Sequence, residues 1–484
     1  MEMERTSTLP EVPEEILAGL CPPRLTPEKI QERLSYIIEK DRVAGDLPRR
    51  FLEAFAAVLQ HTNYRQVIDS YARIPARCSN CACACQIYQQ TKAPEDVPCY
   101  RSSLLLDVYR RHFTLRGIVE GHLKDTPLLT DDLILEMAET YYHCTACRRC
   151  TLECPLGIDH GLVTHLARYV LSEIGLVPRA LVISTRAQLE GPARNTSAIP
   201  WPAIADTLEF LEEEIADDKG VPVKFPVDQE GREYIFFAPV SDYLMEAETL
   251  MGIAAVLHAG GLGDAWTISS EFLDGINYGL FYSDWILERC LREELAQAKR
   301  LGARKILIGE CGHASRSAKA FIRTFGGGDE APPVVNILEL THRLWKEGRI
   351  RLRPDTITDR VTYHDPCNLA RTGWIIDRPR ELLRAFCADF VEMEPRGPWN
   401  LCCGGGGGTV SIDEIRPYRT GVTGVKKAEQ IRATGARYVV APCANCKKQL
   451  REVCEDNGLS DVEVVGLHDL IYKAIELDGG GGDA

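Results

Sequence analysis

"GARYVVAPCANCKKQLRE", residues 435–452, and "GARKILIGECGHASRSAK", residues 302–319, are two variants of one pattern. Each opens on a Gly-Ala-Arg turn, runs through a short aliphatic strand and breaks at small residues before a helix-like stretch. What surrounds them repeats as well. "VVNILELTHRLW" (334–345) follows the first and "VEVVGLHDLIYKA" (462–474) the second, while upstream "YIFFAPVSDY" (234–243) matches "VTYHDPCNLA" (361–370). Strands alternating with amphipathic helices predict an α/β domain with a largely parallel sheet. The repeat predicts that this domain is duplicated, as residues 233–358 and 359–477. The two copies differ in chemistry. The later copy has Cys443-x2-Cys446 at its strand end, where the earlier one has Cys311 with Ala314 in the second position.

The first half of the chain has a different texture. Residues 1–77 read as helical, with apolar residues three and four apart in "IQERLSYIIEK" (30–40) and "RRFLEAFAAVLQ" (49–60). Residues 78–185 carry two cysteine groups separated by "SSLLLDVYRRHF" (102–113) and "DDLILEMAETYYH" (131–143), both helix-like, with no strand signal. Residues 186–232 form a connector containing an acidic helix, "DTLEFLEEEIADD" (206–218), and the Gly-rich tail 478–484 reads as flexible.

Composition excludes several classes. Fifty-six Lys and Arg stand against 70 Asp and Glu, a formal net charge of −14, which argues against a nucleic-acid partner. No apolar run reaches the ~18 residues a membrane helix needs, so no direct membrane span is expected. The acidic N-terminus lacks a signal-peptide h-region. These features predict a cytoplasmic protein, or one held at the cytoplasmic face of a membrane by a partner subunit.

Nineteen cysteines in a reducing compartment point to metal rather than disulfides. The strongest signal is "CTACRRCTLECP": Cys144, Cys147, Cys150 and Cys154, followed by Pro155. Zinc sites pair cysteines across a longer loop. Four cysteines this close, with the proline, have the spacing of a [4Fe–4S] motif in which three wrap one cubane and the fourth ligates another. Cys154 thus requires a second cluster. "CSNCACACQIY" (78–88) offers Cys78, Cys81, Cys83 and Cys85, with Cys99 beyond, at irregular spacing. In one arrangement Cys85 joins Cys144, Cys147 and Cys150, leaving Cys78, Cys81 and Cys83 with Cys154. In others Cys99 replaces Cys83 or Cys85. Arg148 and Arg149 lie inside the binding loop; facing a cluster, their charge would raise its potential. Cys21, Cys290, Cys387 and Cys454 stand apart and read as small buried hydrophobes.

The third group is Cys367, then Cys402-Cys403 in "WNLCCGGGGGTVS" (399–411), then Cys443 and Cys446. Adjacent cysteines rarely bond to each other, and five successive glycines forfeit packing. In order and interval this set resembles the CCG domain of the heterodisulfide reductase family. The layout of two cubane motifs before a CCG domain resembles its D-type subunit, nearest to the K subunit of the sulfite-reductase-associated membrane complex. The resemblance implies a helical ferredoxin-like domain with two [4Fe–4S] cubanes, followed by a duplicated α/β CCG-type domain. It also implies one non-cubane [4Fe–4S] cluster on Cys367, Cys402, Cys403, Cys443 and Cys446, with Gly404 and Gly405 letting the backbone approach it and donate N–H groups.

One departure matters. Family members with two non-cubane clusters carry the five-cysteine set twice, whereas here Val240 stands for Cys367, Ala314 for Cys446, and "SEFLDGINYG" (270–279) offers no double cysteine. Cys311 alone persists, beside Glu310 and His313. This turn is either structural or a catalytic group, with a thiol and a proton-transfer histidine facing the surviving cluster. His364 and Asp365, just before Cys367, admit the same two readings.

With no flavin or nicotinamide fingerprint, electrons must come from a flavin-containing or haem-b membrane subunit. The acceptor would be a disulfide or a small protein thiol. A non-catalytic relay toward another reductase, such as an acyl-CoA reductase, is the alternative.

Overall fold

The computed structural model describes residue 36 and residues 46–74, 78–121 and 129–477. Most of the helix expected over 30–40, Cys21 and the tail 478–484 lie outside the described residues. The chain divides into two compact units, residues 1–182 with 281–283, and residues 183–280 with 284–484.

The described part of the first unit is helical. Helix α1 (Leu47–His61) starts where Asp46 accepts a hydrogen bond from the Arg49 amide at 3.1 Å. It buries Phe51, Leu52, Phe55 and Val58 along one face. Helix α2 (Pro98–His112) opens on a proline, whose missing N–H goes unused in a first turn. Thr130 caps α3 (Asp131–His143) through the Leu133 amide at 3.2 Å, and Asp159 caps α4 (His160–Glu173) through the Leu162 amide at 3.0 Å. Arg168 of α4 is 0% exposed. Its guanidinium donates to the Tyr141 carbonyl at 2.7 and 3.0 Å and to the Cys144 carbonyl at 2.5 Å. A buried cation thereby satisfies the orphan carbonyls at the end of α3, and so sets where Cys144 begins the metal-binding loop.

The second unit begins with α5 (Trp201–Lys219), the acidic helix of the connector. Two four-stranded sheets follow, and every pairing in both is parallel. The first has β1 (Tyr234–Phe237), β2 (Trp266–Ile268), β3 (Lys305–Ile308) and β4 (Val334–Asn336) in the order β2-β1-β3-β4. The second has β5 (Val361–Tyr363), β6 (Phe390–Val391), β7 (Tyr438–Val440) and β8 (Glu463–Val465) in the order β6-β5-β7-β8. Strand order is the same in both. The central strands are buried along their length, as helix-covered parallel strands must be. Between strands run α6 (Ala247–Ala259), α7 (Asp284–Arg300), α8 (Gly312–Ile322), α9 (Ile337–Lys346), α10 (Asp377–Phe386), α11 (Val425–Thr434), α12 (Ala444–Asp456) and finally α13 (Leu467–Ala474).

One apolar core runs through both sheets, with Phe236 and Leu307 from one and Val361, Tyr363 and Val440 from the other. Helices α6 and α13 meet closely at Gly252, where a Cβ would stand 2.0 Å from the His468 carbonyl oxygen, so only glycine fits. Six strands coincide with the runs expected from sequence. Strands β2 and β6 were not expected; they lie outside the repeated segments.

Past β5 the chain is pinned by an ion pair. The Asp365 carboxylate takes both guanidinium nitrogens of Arg380 on α10, at 2.8 and 2.7 Å, and the Gly397 amide at 2.8 Å. Its side chain is 1% exposed and that of Arg380 3%. Asp365 is thus a structural clamp between β5, α10 and the segment leading to Cys402. Truncating Asp365 leaves Arg380 with Glu392, at 2.9 and 3.1 Å, as its remaining carboxylate, and takes the acceptor from the buried Gly397 amide. Asp365→Ala is expected to cost about 3–5 kcal/mol, read as a lower denaturant midpoint of the iron-loaded protein.

Candidate metal centres

In the first unit, Cys85, Cys144, Cys147 and Cys150 line one cavity, together with Arg101, Arg148, His160 and Thr164. Short turns bring the two motifs to this cavity. A 3-10 turn (Asn80–Ala84) delivers Cys85, while Ala146 and Arg148, with φ of 49° and 62°, curl the other loop about the cavity. Burial raises the Cys85 thiol pKa to about 11. Burial, then proximity to Cys147, Cys144 and Cys85, raises that of Cys150 well above its usual value. Four sulfurs on one cavity, with burial holding Cys85 and Cys150 as neutral thiols, suit a cationic metal. His160 adds a second sign of fit. Its Nδ1 pairs with the Ser102 hydroxyl at 2.8 Å, and its buried Nε2 has no protein partner among the described residues. Four sulfurs and an orphaned polar atom around one cavity suit a [4Fe–4S] cubane.

The second cysteine set is sorted by contacts. Cys81 and Cys99 hydrogen-bond to each other. This bond raises the Cys81 thiol and lowers that of Cys99 to about 6, and the Ser79 hydroxyl lies 3.8 Å from the Cys99 sulfur. Asn80 donates to the Glu153 carbonyl at 3.0 Å, which joins this turn to the residue before Cys154. Cys83 turns away: its thiol donates to the Asn80 carbonyl at 2.9 Å. Cys78 is exposed and Cys154 half-buried. Arg148 pairs with Asp159 at 3.5 Å, and Arg149 donates to the Ala84 carbonyl at 3.1 Å.

In the second unit the remaining cysteines gather past the strand ends, where open α/β sheets place their ligands. Cys403 and Cys446 have sulfurs 3.5 Å apart. Cys403 also bonds Cys402, and Cys443 bonds both Cys446 and Cys311. Cys402, Cys403, Cys443 and Cys446 are 2–5% exposed, and Cys367 is half-buried. The glycines act as expected of a backbone that must come close. The Gly404 amide donates to the Cys402 sulfur at 3.4 Å and the Gly405 amide to Cys403. Gly404 has φ of +102°, and a Cβ on Gly405 would lie 2.9 Å from the Gln449 side chain. The run 404–408 is a packed loop and not a linker.

The three residues proposed for catalysis divide. Cys311 is buried at the start of α8, with its sulfur against Cys443 and accepting from the Ala314 amide at 3.4 Å. The hydrogen bond to Cys443, then burial, raises its pKa well above the usual value. Glu310 is a cap: its carboxylate accepts from the Leu467 amide at 3.1 Å, the His468 amide at 2.7 Å and His468 Nδ1 at 2.5 Å. Those bonds hold the start of α13 and leave Glu310 a positioning role. His313 contacts the Asn277 carbonyl through Nε2 at 2.5 Å. A carbonyl only accepts, so Nε2 carries the proton there, and burial lowers the ring's pKa to about 4. The ring's N–H is thus committed to the backbone.

Sequence reasoning does not single out Lys427 or Asn400, both fully buried beneath the double cysteine. Lys427 lies on an amphipathic helix, where lysine ordinarily means solvent, and nothing in its spacing marks it. His364 does stand out in the sequence, and a ring nitrogen of it lies within 4.8 Å of the Cys403 and Cys446 sulfurs. Burial holds its pKa well below the usual value. Cys290, Cys387 and Cys454 are buried as expected.

Residues 76–158 match the 4Fe-4S dicluster domain family, and residues 361–451 match the cysteine-rich CCG domain family. The chain is similar to the Hdr-like menaquinol oxidoreductase iron-sulfur subunit 2 of Archaeoglobus fulgidus, with 28% identity over 91% of this chain and 86% of that protein. It is also similar to the D-type subunit of the dihydromethanophenazine:CoB–CoM heterodisulfide reductase of Methanosarcina barkeri, with 23% identity over 71% of this chain and 80% of that one. Similarity to the EtfAB:quinone oxidoreductase of Syntrophomonas wolfei is 24%, over 70% of this chain and 47% of that one. The chain thus carries a 4Fe-4S dicluster domain and a CCG domain, is similar to heterodisulfide-reductase-D-like proteins, and is an iron–sulfur redox subunit carrying [4Fe–4S] clusters. No helix among the described residues is long and apolar enough to cross a membrane.

The contacts of the second cysteine set yield a direct test. Cys99→Ser is expected to remove one cubane, about four iron atoms per chain, while Cys83→Ser leaves iron content and the cubane EPR signals unchanged. Iron loss in Cys83→Ser with none in Cys99→Ser would reverse the assignment.

Proposed function

We propose that this chain gathers electrons through two cubanes and uses them at a non-cubane [4Fe–4S] cluster to reduce a disulfide-type acceptor. One cubane has Cys85, Cys144, Cys147 and Cys150 as ligands, and the other has Cys78, Cys81, Cys99 and Cys154. Cys367, Cys402, Cys403, Cys443 and Cys446 hold the non-cubane cluster in residues 359–477. Residues 233–358 are a duplicate of that half that has lost its ligands. The observation that carries the reading is the meeting of Cys311 with Cys443 in a buried pocket whose amides already point at sulfur.

Bound there, the cluster supplies single electrons beside iron able to bind a sulfur atom. The residues do the rest. Gly404 and Gly405 hold their N–H groups on the double cysteine and stabilise sulfur in its anionic form. Glu310 keeps the turn that presents Cys311 against Cys443. Reducing one disulfide takes two electrons and two protons and releases two thiols. A flavin-containing or haem-b membrane subunit of the same complex provides the electrons, a reading supported by the relatives' names, which include menaquinol and quinone oxidoreductases.

A second reading, a relay that hands electrons to another reductase, is favoured by burial: four of the five cysteines are at most 5% exposed, which leaves a small molecule little approach.

Anaerobically purified protein is expected to hold about twelve iron and twelve sulfide per chain, for three four-iron clusters, and to reduce a small organic disulfide when supplied with electrons. Cys311→Ala is expected to lower that turnover at least tenfold without loss of iron. Full turnover in Cys311→Ala removes the thiol from the mechanism, and three clusters with no turnover on any disulfide leave the relay.

A further inference from the structure

Three buried side chains form a directed line into the terminal site. Lys427 Nζ lies 2.8 Å from Asn400 Oδ1, 3.6 Å from Met393 Sδ, and against Gln430 Oε1. The Gln430 amide is itself oriented, since its nitrogen donates to the Pro395 carbonyl at 2.6 Å. Asn400 Nδ2 then lies 3.5 Å from His364 Nδ1. Lys427, Asn400 and His364 are each at most 1% exposed.

In this line the Lys427 nitrogen only donates, to Asn400 Oδ1 and Gln430 Oε1. Lys427 therefore faces the oxygen of the Asn400 amide, and the NH2 end faces His364. An NH2 group also only donates, so Nδ1 is the acceptor and carries no proton. The ring's N–H must then be on Nε2. That atom is buried and has no protein partner among the described residues. The ring meanwhile lies within 4.8 Å of the Cys403 and Cys446 sulfurs.

We propose that His364 donates a hydrogen bond from Nε2 to the non-cubane cluster or its thiolates, with Asn400 and Lys427 as positioning residues that fix its tautomer. The same geometry argues against His364 as an iron ligand. Ligation through Nε2 would require the proton on Nδ1, where it would meet the Asn400 NH2 group head on. A donor aimed at the sulfurs stabilises the more negative, reduced state and raises the potential of this cluster relative to the same cluster without it.

The inference rests on the three-cluster reading, and the test separates the two. In protein labelled with 15N-histidine, a weak nitrogen coupling to the paramagnetic terminal cluster is expected, of the size transmitted through a hydrogen bond, and it should vanish in His364→Phe. That variant should keep its iron and both cubane midpoints, while the terminal midpoint moves down. Asn400→Asp keeps the ring but presents an acceptor to Nδ1. It should shift the proton off Nε2 and abolish the exchangeable-proton coupling that accompanies the nitrogen signal. A strong coupling typical of a directly bound nitrogen, or an unmoved terminal midpoint in His364→Phe at full iron content, overturns the inference alone. A chain that loads two cubanes and no third cluster overturns the reading beneath it, and its iron count says so.

Discussion

The second unit is organised around the carboxylate of Glu310. Its side chain holds the first two amides of α13 and the ring of His468, while its own carbonyl accepts from the Ala444 amide at 3.2 Å. One residue thus ties the turn after β3 to the turn after β7 and to the helix that follows β8. His468 continues the tie to Thr341 on α9 at 2.8 Å. The meeting of Cys311 with Cys443 is a consequence, because each stands within one residue of a bonded position. A buried carboxylate with every bond satisfied is tolerable in the interior, and one with a bond missing is not.

The same economy governs the charges elsewhere. The chain is acidic overall, at −14, yet several cations are buried. Arg101 lines the cubane cavity and Arg168 holds the end of α3, while Lys427 lies near the double cysteine and Lys447 follows Cys446 in the chain. Lys447 is balanced by Glu246 at 3.1 Å and the Thr249 hydroxyl at 2.8 Å. Among the described residues, Lys427 has only neutral oxygens and a thioether as hydrogen-bond partners, and burial lowers its pKa to about 7. Its protonated form is favoured by Asp365 and then by thiolates at Cys402 and Cys403.

Much of this was legible in the sequence, for definite reasons. Repeated Gly-Ala-Arg turns and aliphatic runs marked β1, β3, β4, β5, β7 and β8 because buried parallel strands leave an apolar signature. Strands β2 and β6 lie outside the repeated segments and were not marked by them. Cys144 to Cys154 were readable from spacing because one short loop holds them. Cys99 and Cys83 could not be ranked that way, since what separates them is the direction of a thiol, set by the Asn80 carbonyl. Glu310 and His313 were placed beside Cys311 correctly along the chain. Their contacts could not be read there, because residues on one turn point to different neighbours: one caps α13 and the other is bound to Asn277. His364 is noticeable for its position, but its tautomer depends on Lys427, more than sixty residues further along the chain.

Residues 281–283 belong to the first unit although both flanks belong to the second. The carbonyls of Phe281 and Tyr282 accept from Arg168 at 3.5 Å and Ser172 at 3.2 Å, both on α4. The polypeptide therefore leaves the first unit, returns to it for three residues and leaves again. No single crossover in a gene can exchange one unit for a foreign counterpart without separating α4 from part of its packing. Although the two units look modular, recombination should find them hard to shuffle, and lineages should inherit them as a linked pair.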